Sequence, residues 1–260
     1  FSEEKIMYLS TNLTGKDRRK VIASAKNMLD NRQHFILVST QTIEAGVDLD
    51  FDIAYRDLAP LESIIQVAGR VNRAGKKGEY CPVYVFDSGS AKKIYKMAVL
   101  VKSQRWLSKN YKEPEYYSLM KTYYKNLAES DLNYDTDVYN GILELDYDKI
   151  NKFKMIEETE RVPVIIVQDE HIQDVLEKFC GLIKNGSHTF EEKAKLKQLE
   201  SEINFYCVEI YPYKLEKNPP ISFKSLYSVD LNYSVVPQEE LIRYYGETGL
   251  ISESGSAFLY

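Results

Sequence analysis

The sequence predicts an α/β fold: a parallel sheet over residues 1–90, a basic helical linker over 91–128 and a small α+β domain over 129–260. Three observations predict it. Apolar runs of strand length recur at 6–10, 34–40, 52–58 and 81–87. Stretches with helical periodicity fall between them. A strand–helix alternation of this kind folds as a parallel sheet covered on both faces by helices.

Taken in order, IMYLS at 6–10 predicts a short buried strand. Thr14 followed three residues later by Asp17 marks a helix start, and Val21, Ile22, Ala25, Met28 and Leu29 continue that helix to Asp30. HFILVST and DIAYRDL give the next two strands. A helix is predicted over 61–73, a strand over 81–87 and a second long helix over 91–109. In the last part RVPVIIVQ at 161–168 predicts a buried strand, followed by helices over 169–185 and near 190–201. INFYCVEIYPY at 203–213 and SLYSVDLNYSVV at 225–236 both read as strands.

Charge is distributed unevenly. The formal net charge is −5. Residues 1–90 are balanced, with 12 basic and 12 acidic side chains; 91–128 hold 9 and 2; 129–260 hold 13 and 25. The basic segment interleaves its lysines and arginine with six tyrosines and the single tryptophan. Two readings stand for it: a solvated helical face with tyrosines packed beneath, or a strand-tracking surface where cations meet phosphates and aromatic rings stack on bases. Three scattered cysteines, Cys81, Cys180 and Cys207, form no CxxC pair, which argues against a disulfide frame or a zinc site and predicts reduced thiols in a cytoplasmic protein. There is no apolar run long enough for a membrane span and no leader, so neither a membrane nor a secretory role is expected. The chain begins at Phe1 rather than Met, which leads us to expect a piece of a longer protein.

The sharpest chemistry lies at 36–75. On a helix over 61–73, Gln66, Gly69, Arg70 and Arg73 fall on one narrow stripe, with apolar residues filling the remainder. A guanidinium on such a helix needs an acceptor. Carboxylates such as Asp48 or Asp57 would supply it structurally, and a phosphate in a cleft would supply it functionally. Ser39, Thr40 and Thr42 follow the 34–40 strand, at the end of the sheet where ligands bind. Hydroxyl groups of this kind either cap turns or contact nucleic-acid phosphates. Gly46 permits a turn or a close backbone approach.

These two pieces carry a resemblance. STQTIEAGVDLD at 39–50 resembles helicase motif V, and QVAGRVNR at 66–73 resembles motif VI of superfamily two helicases. YRDLAPLESIIQVAGRVNR is similar to the CRISPR-associated helicase-nuclease of type I interference systems. YLST and DRR within 8–19, VPVIIV at 162–167 and YYGETGL at 244–250 extend the likeness over nearly the whole chain.

The resemblance implies a second RecA-like lobe, incomplete at its start, with a C-terminal accessory domain. It implies catalytic roles for Arg70 and Arg73 at the γ-phosphate of ATP, one of them as arginine finger, with Gln66 positioning nucleotide and water. It places Gly46, Asp48 and Gly69 beside the nucleotide, and Ser10, Thr11, Ser39, Thr40 and Thr42 on the DNA backbone. The sequence has no GxxxxGK[ST] loop and no magnesium-binding acidic box. Its histidines, His34, His171 and His188, are too scattered for a metal site. The resemblance therefore implies that ATP is used with magnesium held by a missing first lobe, and that a nuclease metal resides in a missing N-terminal domain. The implied partners are single-stranded DNA, the CRISPR RNA-guided surveillance complex, and those missing domains. The expected function is ATP-dependent translocation on single-stranded DNA in defence against foreign DNA, with this chain inactive as an ATPase alone. The alternative, from a different class, is a non-catalytic module that binds DNA or the surveillance complex.

Overall fold

The computed structural model describes residues 5–44, 46–78, 80–107, 109–129, 136–153, 160–186, 189–216 and 218–251. In chain order the elements are β1 (Lys5–Leu9), α1 (Gly15–Asp30), β2 (Phe35–Ser39), β3 (Ala54–Asp57), α2 (Leu61–Ala68), β4 (Val83–Phe86), α3 (Ala91–Ile94), α4 (Met97–Leu107), α5 (Tyr116–Ala128), α6 (Thr136–Glu144), α7 (Tyr147–Asn151), β5 (Val162–Ile166), α8 (Glu170–Lys184), α9 (Phe190–Phe205), β6 (Cys207–Ile210), β7 (Ile221–Ser222), α10 (Phe223–Tyr227), β8 (Ser234–Val236), α11 (Leu241–Tyr244), β9 (Tyr245–Gly246) and β10 (Gly249–Leu250). They form two units: residues 1–47 with 159–260, and residues 48–158.

In the first unit, β1 and β2 run parallel, Lys5 paired with Phe35 and Leu9 with Ser39. The α1 crossover between them starts where the sequence predicts, with the Thr14 hydroxyl accepting from the Asp17 N–H. Four further strands form a mixed sheet in the order β6-β5-β8-β7. β5 explains its unbroken apolar sequence: Val164 and Ile166 enter one core with Val208, Ile210 and Val236, while Ile165 and Val167 enter the other with α8 and α9. A strand buried on both faces has no polar side to alternate with.

Two strand predictions in this unit need correction. Residues 203–205 finish α9, because Leu199 and Ile203 reach the core at helical spacing, so only Cys207–Ile210 is extended. In the tail, Ser222 caps a short helix by accepting from the Ser225 N–H, and Ser228 ends it at φ 56°, leaving Ser234–Val236 as the strand. The charged helix predicted near 190–201 runs on to Phe205.

In the second unit β3 and β4 are parallel, Ala54 opposite Val83 and Asp57 opposite Phe86. The parallel pairs β1–β2 and β3–β4 are thus two separate two-stranded ladders, and a third parallel pair, β5–β8, lies within the four-stranded sheet. α2 packs on α5 through Leu61, Leu119, Tyr123 and Leu127. The helix predicted over 91–109 is broken at Tyr95, whose backbone is extended and whose hydroxyl accepts from Arg56 Nη2 at 3.2 Å. No helix among the described residues is long and apolar enough to cross a membrane.

Candidate functional site

The predicted helix over 61–73 ends five residues early. α2 stops at Ala68, and Gly69 caps it by donating to the Ile65 carbonyl. Val71 then forms a parallel bridge with Phe51: the Phe51 N–H donates to Arg70 O at 2.8 Å and the Asn72 N–H to Phe51 O at 2.9 Å. Asn72 turns the chain at φ 48°, a conformation asparagine tolerates better than most residues. Arg70 and Arg73 therefore leave a turn rather than a helical stripe, and periodicity could not show it because glycine and a β-branched valine give the chain a cheap exit. Gln66 and Gly69 are exposed, Arg70 is half-buried and Arg73 is exposed.

This turn is tied back onto the motif V segment. Arg73 Nη1 lies 3.3 Å from Asp48 Oδ1, the carboxylate partner that the sequence offered for the arginines. Asp50, which the sequence reading did not single out, accepts from the Arg73 N–H at 2.9 Å and the Ala74 N–H at 3.2 Å. Lys77 is held by the Asp50 carboxylate at 3.6 Å and Asp52 at 3.1 Å, and also bonds the Asp50 carbonyl. The available signal was the alternation of carboxylates in DLDFD against the cations of RVNRAGKK. Side chains of Arg73 and Asp48 are 45% and 79% exposed, so their attraction is screened, worth roughly 0–1 kcal/mol.

Asp57, the other offered partner, is engaged elsewhere. Its carboxylate accepts from Ser88 Oγ at 2.6 Å, the Ser88 N–H at 3.0 Å and the Leu58 N–H at 2.8 Å. Burial alone would raise its pKa, but these bonds and the Arg56 charge hold it below the usual carboxylate value.

The remaining predicted residues lie in the first unit. Gly46 is exposed at φ 76°, with open space where a Cβ would stand, so the left-handed turn rather than a close approach calls for glycine. Ser39 Oγ is near the Leu9 carbonyl at 3.0 Å and the Thr40 carbonyl at 2.9 Å. The hydroxyls of Thr40 and Thr42 bond one another at 3.2 Å. Ser10 is buried and accepts from the Asn12 N–H at 3.0 Å, while Thr11 is exposed. His188 lies outside the described residues, and no three His, Cys, Asp or Glu residues among those described could hold a metal ion.

A second polar cluster joins DRR to YYGETGL and to Gln168, the residue that follows VPVIIV. Asp17 of DRR accepts from Tyr245 Oη at 2.8 Å and from the Gln168 amide. Lys16 pairs with Asp169, and Tyr206 Oη reaches the same carboxylate at 3.4 Å. Burial alone would raise both aspartate pKa values and lower that of Lys16. The bonds win in each case, holding Asp17 and Asp169 below the carboxylate range and Lys16 above the ordinary lysine value.

The family described as CRISPR-associated nuclease/helicase Cas3, C-terminal, matches residues 1–76. Residues 1–76 are similar to the C-terminal part of Cas3. The Cas3 of Haloferax volcanii is 50% identical over 62 residues, 24% of this chain and 7% of that protein. The Thermus thermophilus Cas3 is 53% identical over 38 residues, 15% of this chain and 4% of that protein. These matches span less than a tenth of the curated relatives' length. In fold, a crystal structure of T. fusca Cas3-AMPPNP matches 90% of this chain and 32% of its own, with TM-score 0.55 and 14% identity. The likeness of fold thus reaches well beyond residues 1–76.

Proposed function

We propose that this chain supplies the arginine wall of the ATP site in a Cas3-type helicase-nuclease that translocates on single-stranded DNA during CRISPR interference. The observation that carries the reading is the motif VI turn, held by Asp50 and the Phe51–Val71 bridge, with Arg73 on a solvent-accessible ion pair to Asp48. A fixed backbone with an exchangeable acceptor is what a phosphate-binding guanidinium requires.

In this reading Arg70 and Arg73 hold the γ-phosphate and Gln66 orients nucleotide and water, while Asp48 and Gly69 border the base and ribose side. ATP supplies the phosphoryl group whose transfer drives movement. Asp48 keeps the Arg73 guanidinium in place when phosphate is absent. Magnesium and the phosphate loop belong to a first lobe, and the nuclease metal to a further domain. Thr11, Thr40 and Thr42 are the hydroxyl residues left for the DNA backbone, since Ser10 is buried in its own turn and the Ser39 hydroxyl is taken up by the Leu9 and Thr40 carbonyls. The surveillance complex is the proposed source of the opened DNA.

The test is ATP hydrolysis by this chain, alone and mixed with a first lobe bearing a phosphate loop, with single-stranded DNA present. Turnover is expected only in the mixture, and Arg73→Ala should lower it by about 10³-fold or more, the scale of an arginine finger. Hydrolysis by the chain alone, or ordinary turnover with Arg73→Ala, would sink the proposal.

A further inference from the structure

α5 separates its tyrosines by face. Leu119, Tyr123 and Leu127 are buried against α2. Tyr117, Lys121, Tyr124 and Lys125 point outward. At 100° per residue these four fall within a stripe of about 100°. Tyr117 is 79% exposed and Tyr124 51%. The two rings stand about 10 Å apart along the axis, with Lys121 between them. Tyr117 at this exposure contributes little to the fold, while Tyr124 keeps one edge on the buried Tyr123, ring centroids 5.6 Å apart, and leaves the rest of its ring in water, where apolar surface is unfavourable. The acids nearest in sequence lie at the ends of the stripe: Glu113 and Glu115 before the helix, and Glu129 after it, 3.8 Å from Lys125 in an exposed pair. Burial first, and then the Glu62 charge, raises the Tyr124 hydroxyl's pKa. The segment 91–128 as a whole carries 9 basic and 2 acidic residues.

We infer that the outer face of α5 binds single-stranded nucleic acid, with Tyr117 and Tyr124 stacking on two bases and Lys121 and Lys125 neutralising the intervening phosphates. The occupant follows from the chemistry. A basic face selects a polyanion, and two ring faces spaced by a lysine suit a strand whose bases are unpaired; a duplex offers no base face to stack on. The inference rests on the proposed DNA-translocating function and gives it a contact outside the motifs. It also divides the two readings of the basic segment by side chain: on α5 Tyr123 packs inward, as Tyr95 and Tyr111 do elsewhere in the segment, and Tyr117 and Tyr124 are the surface tyrosines.

The experiment is fluorescence anisotropy of the whole chain with a labelled oligo-dT strand, titrated over salt. Joint Tyr117→Ala and Tyr124→Ala should weaken binding by about tenfold or more, and joint Tyr117→Phe and Tyr124→Phe should restore it, because stacking needs the ring and not the hydroxyl. Joint Lys121→Gln and Lys125→Gln should flatten the log–log salt slope by about 1.4, at ~0.7 per phosphate contact on a single strand. All four side chains are exposed, so unchanged circular dichroism is expected throughout. Undiminished binding in the alanine pair with an unaltered slope in the glutamine pair would overturn the inference while leaving the Arg73-dependent hydrolysis test standing. Absence of strand binding by the unaltered chain would overturn it too, as would equal, ring-independent binding of a duplex. Self-association abolished by the same substitutions would make the face a contact between copies and overturn it equally.

Discussion

Tyr245 Oη donates to Asp17 Oδ2 at 2.8 Å and accepts from the Thr14 N–H at 2.9 Å, joining residues more than 220 positions apart in sequence. The phenol serves the first turn of α1 from both sides, and burial, acting first, with the Asp17 charge pushes its pKa up to about 12. Tyr245→Phe removes both bonds and leaves the Thr14 N–H without this acceptor. Thermal or urea unfolding should show a loss of about 1–3 kcal/mol, the cost of stranding a buried polar group. A change within ~0.5 kcal/mol would mean that water replaces the phenol without penalty.

Gly249 presses on the same loop. Its φ is 98°, its neighbour Leu250 donates to the Asn12 carbonyl at 2.9 Å, and a Cβ at 249 would run into that carbonyl. Gly249→Ala should cost about 2 kcal/mol or more, because strained backbone and a backbone clash act together. Gly246→Ala is the control: its Cβ would meet only Ile251 Cδ1 at 3.8 Å. Equal melting temperatures for the two variants would contradict the close approach.

Much of this was legible in the sequence, and the exceptions share a cause. Local signals did well: the Thr14–Asp17 helix start, the parallel strands and the two-sided burial of β5 follow from patterns a few residues long. The motif VI helix was read too long because periodicity continues through Val71, while the Phe51 bridge that captures Val71 is a contact twenty residues distant. For the same reason Asp50 went unnoticed beside Asp48: its role is to accept backbone N–H groups, which leave no mark in a sequence. The Asp17–Tyr245 contact joins two words, DRR and YYGETGL, that lie more than 220 residues apart, and the Lys16–Asp169 pair beside it has no local pattern at all.

Acid should unfold the two units through different carboxylates. Asp57 has its pKa lowered in the second unit and Asp17 in the first, despite burial acting the other way in both. A carboxylate depressed in the folded state contributes stability that is complete above its ordinary value of 3.8 and is lost as pH falls through the folded value. Stability should therefore be level down to about pH 5 and fall below about pH 4. Trp106, the single tryptophan, packs in the second unit beside Leu61 and Tyr123. Its fluorescence should report a shallower acid transition in Asp57→Asn and an unchanged one in Asp17→Asn. The reverse assignment would show that these carboxylates are not what acid attacks.

The cysteines should differ in reactivity. Cys207 is pushed up to about 12, by burial first and then by Glu209, and Cys180 is raised by burial. At pH 8 the thiolate fraction of Cys207 is then on the order of 10⁻⁴, and the thiolate is the reacting species. Cys81 is half-exposed beside the Lys77 carbonyl. A chromogenic disulfide reagent should label Cys81 first, with Cys180 and Cys207 reacting only on unfolding. Rapid labelling of three thiols in the native protein would contradict the raised pKa values of Cys180 and Cys207.

Asp48 and Asp50 are two residues apart and both touch Arg73, yet removing them should have opposite consequences. Asp48 meets the guanidinium in solvent, and Asp48→Ala should leave stability within about 0.5 kcal/mol. Asp50 holds the backbone instead, accepting two N–H groups of the turn and pairing with Lys77. Asp50→Ala removes two hydrogen bonds to the turn, each worth about 0.5–1.5 kcal/mol net, and one carboxylate from Lys77. Followed by Trp106 fluorescence in urea, the midpoint should move for Asp50→Ala and stay for Asp48→Ala. Were Asp48→Ala the more damaging, the ion pair would be the structural element, and Arg73 would not be free to exchange its partner for a phosphate.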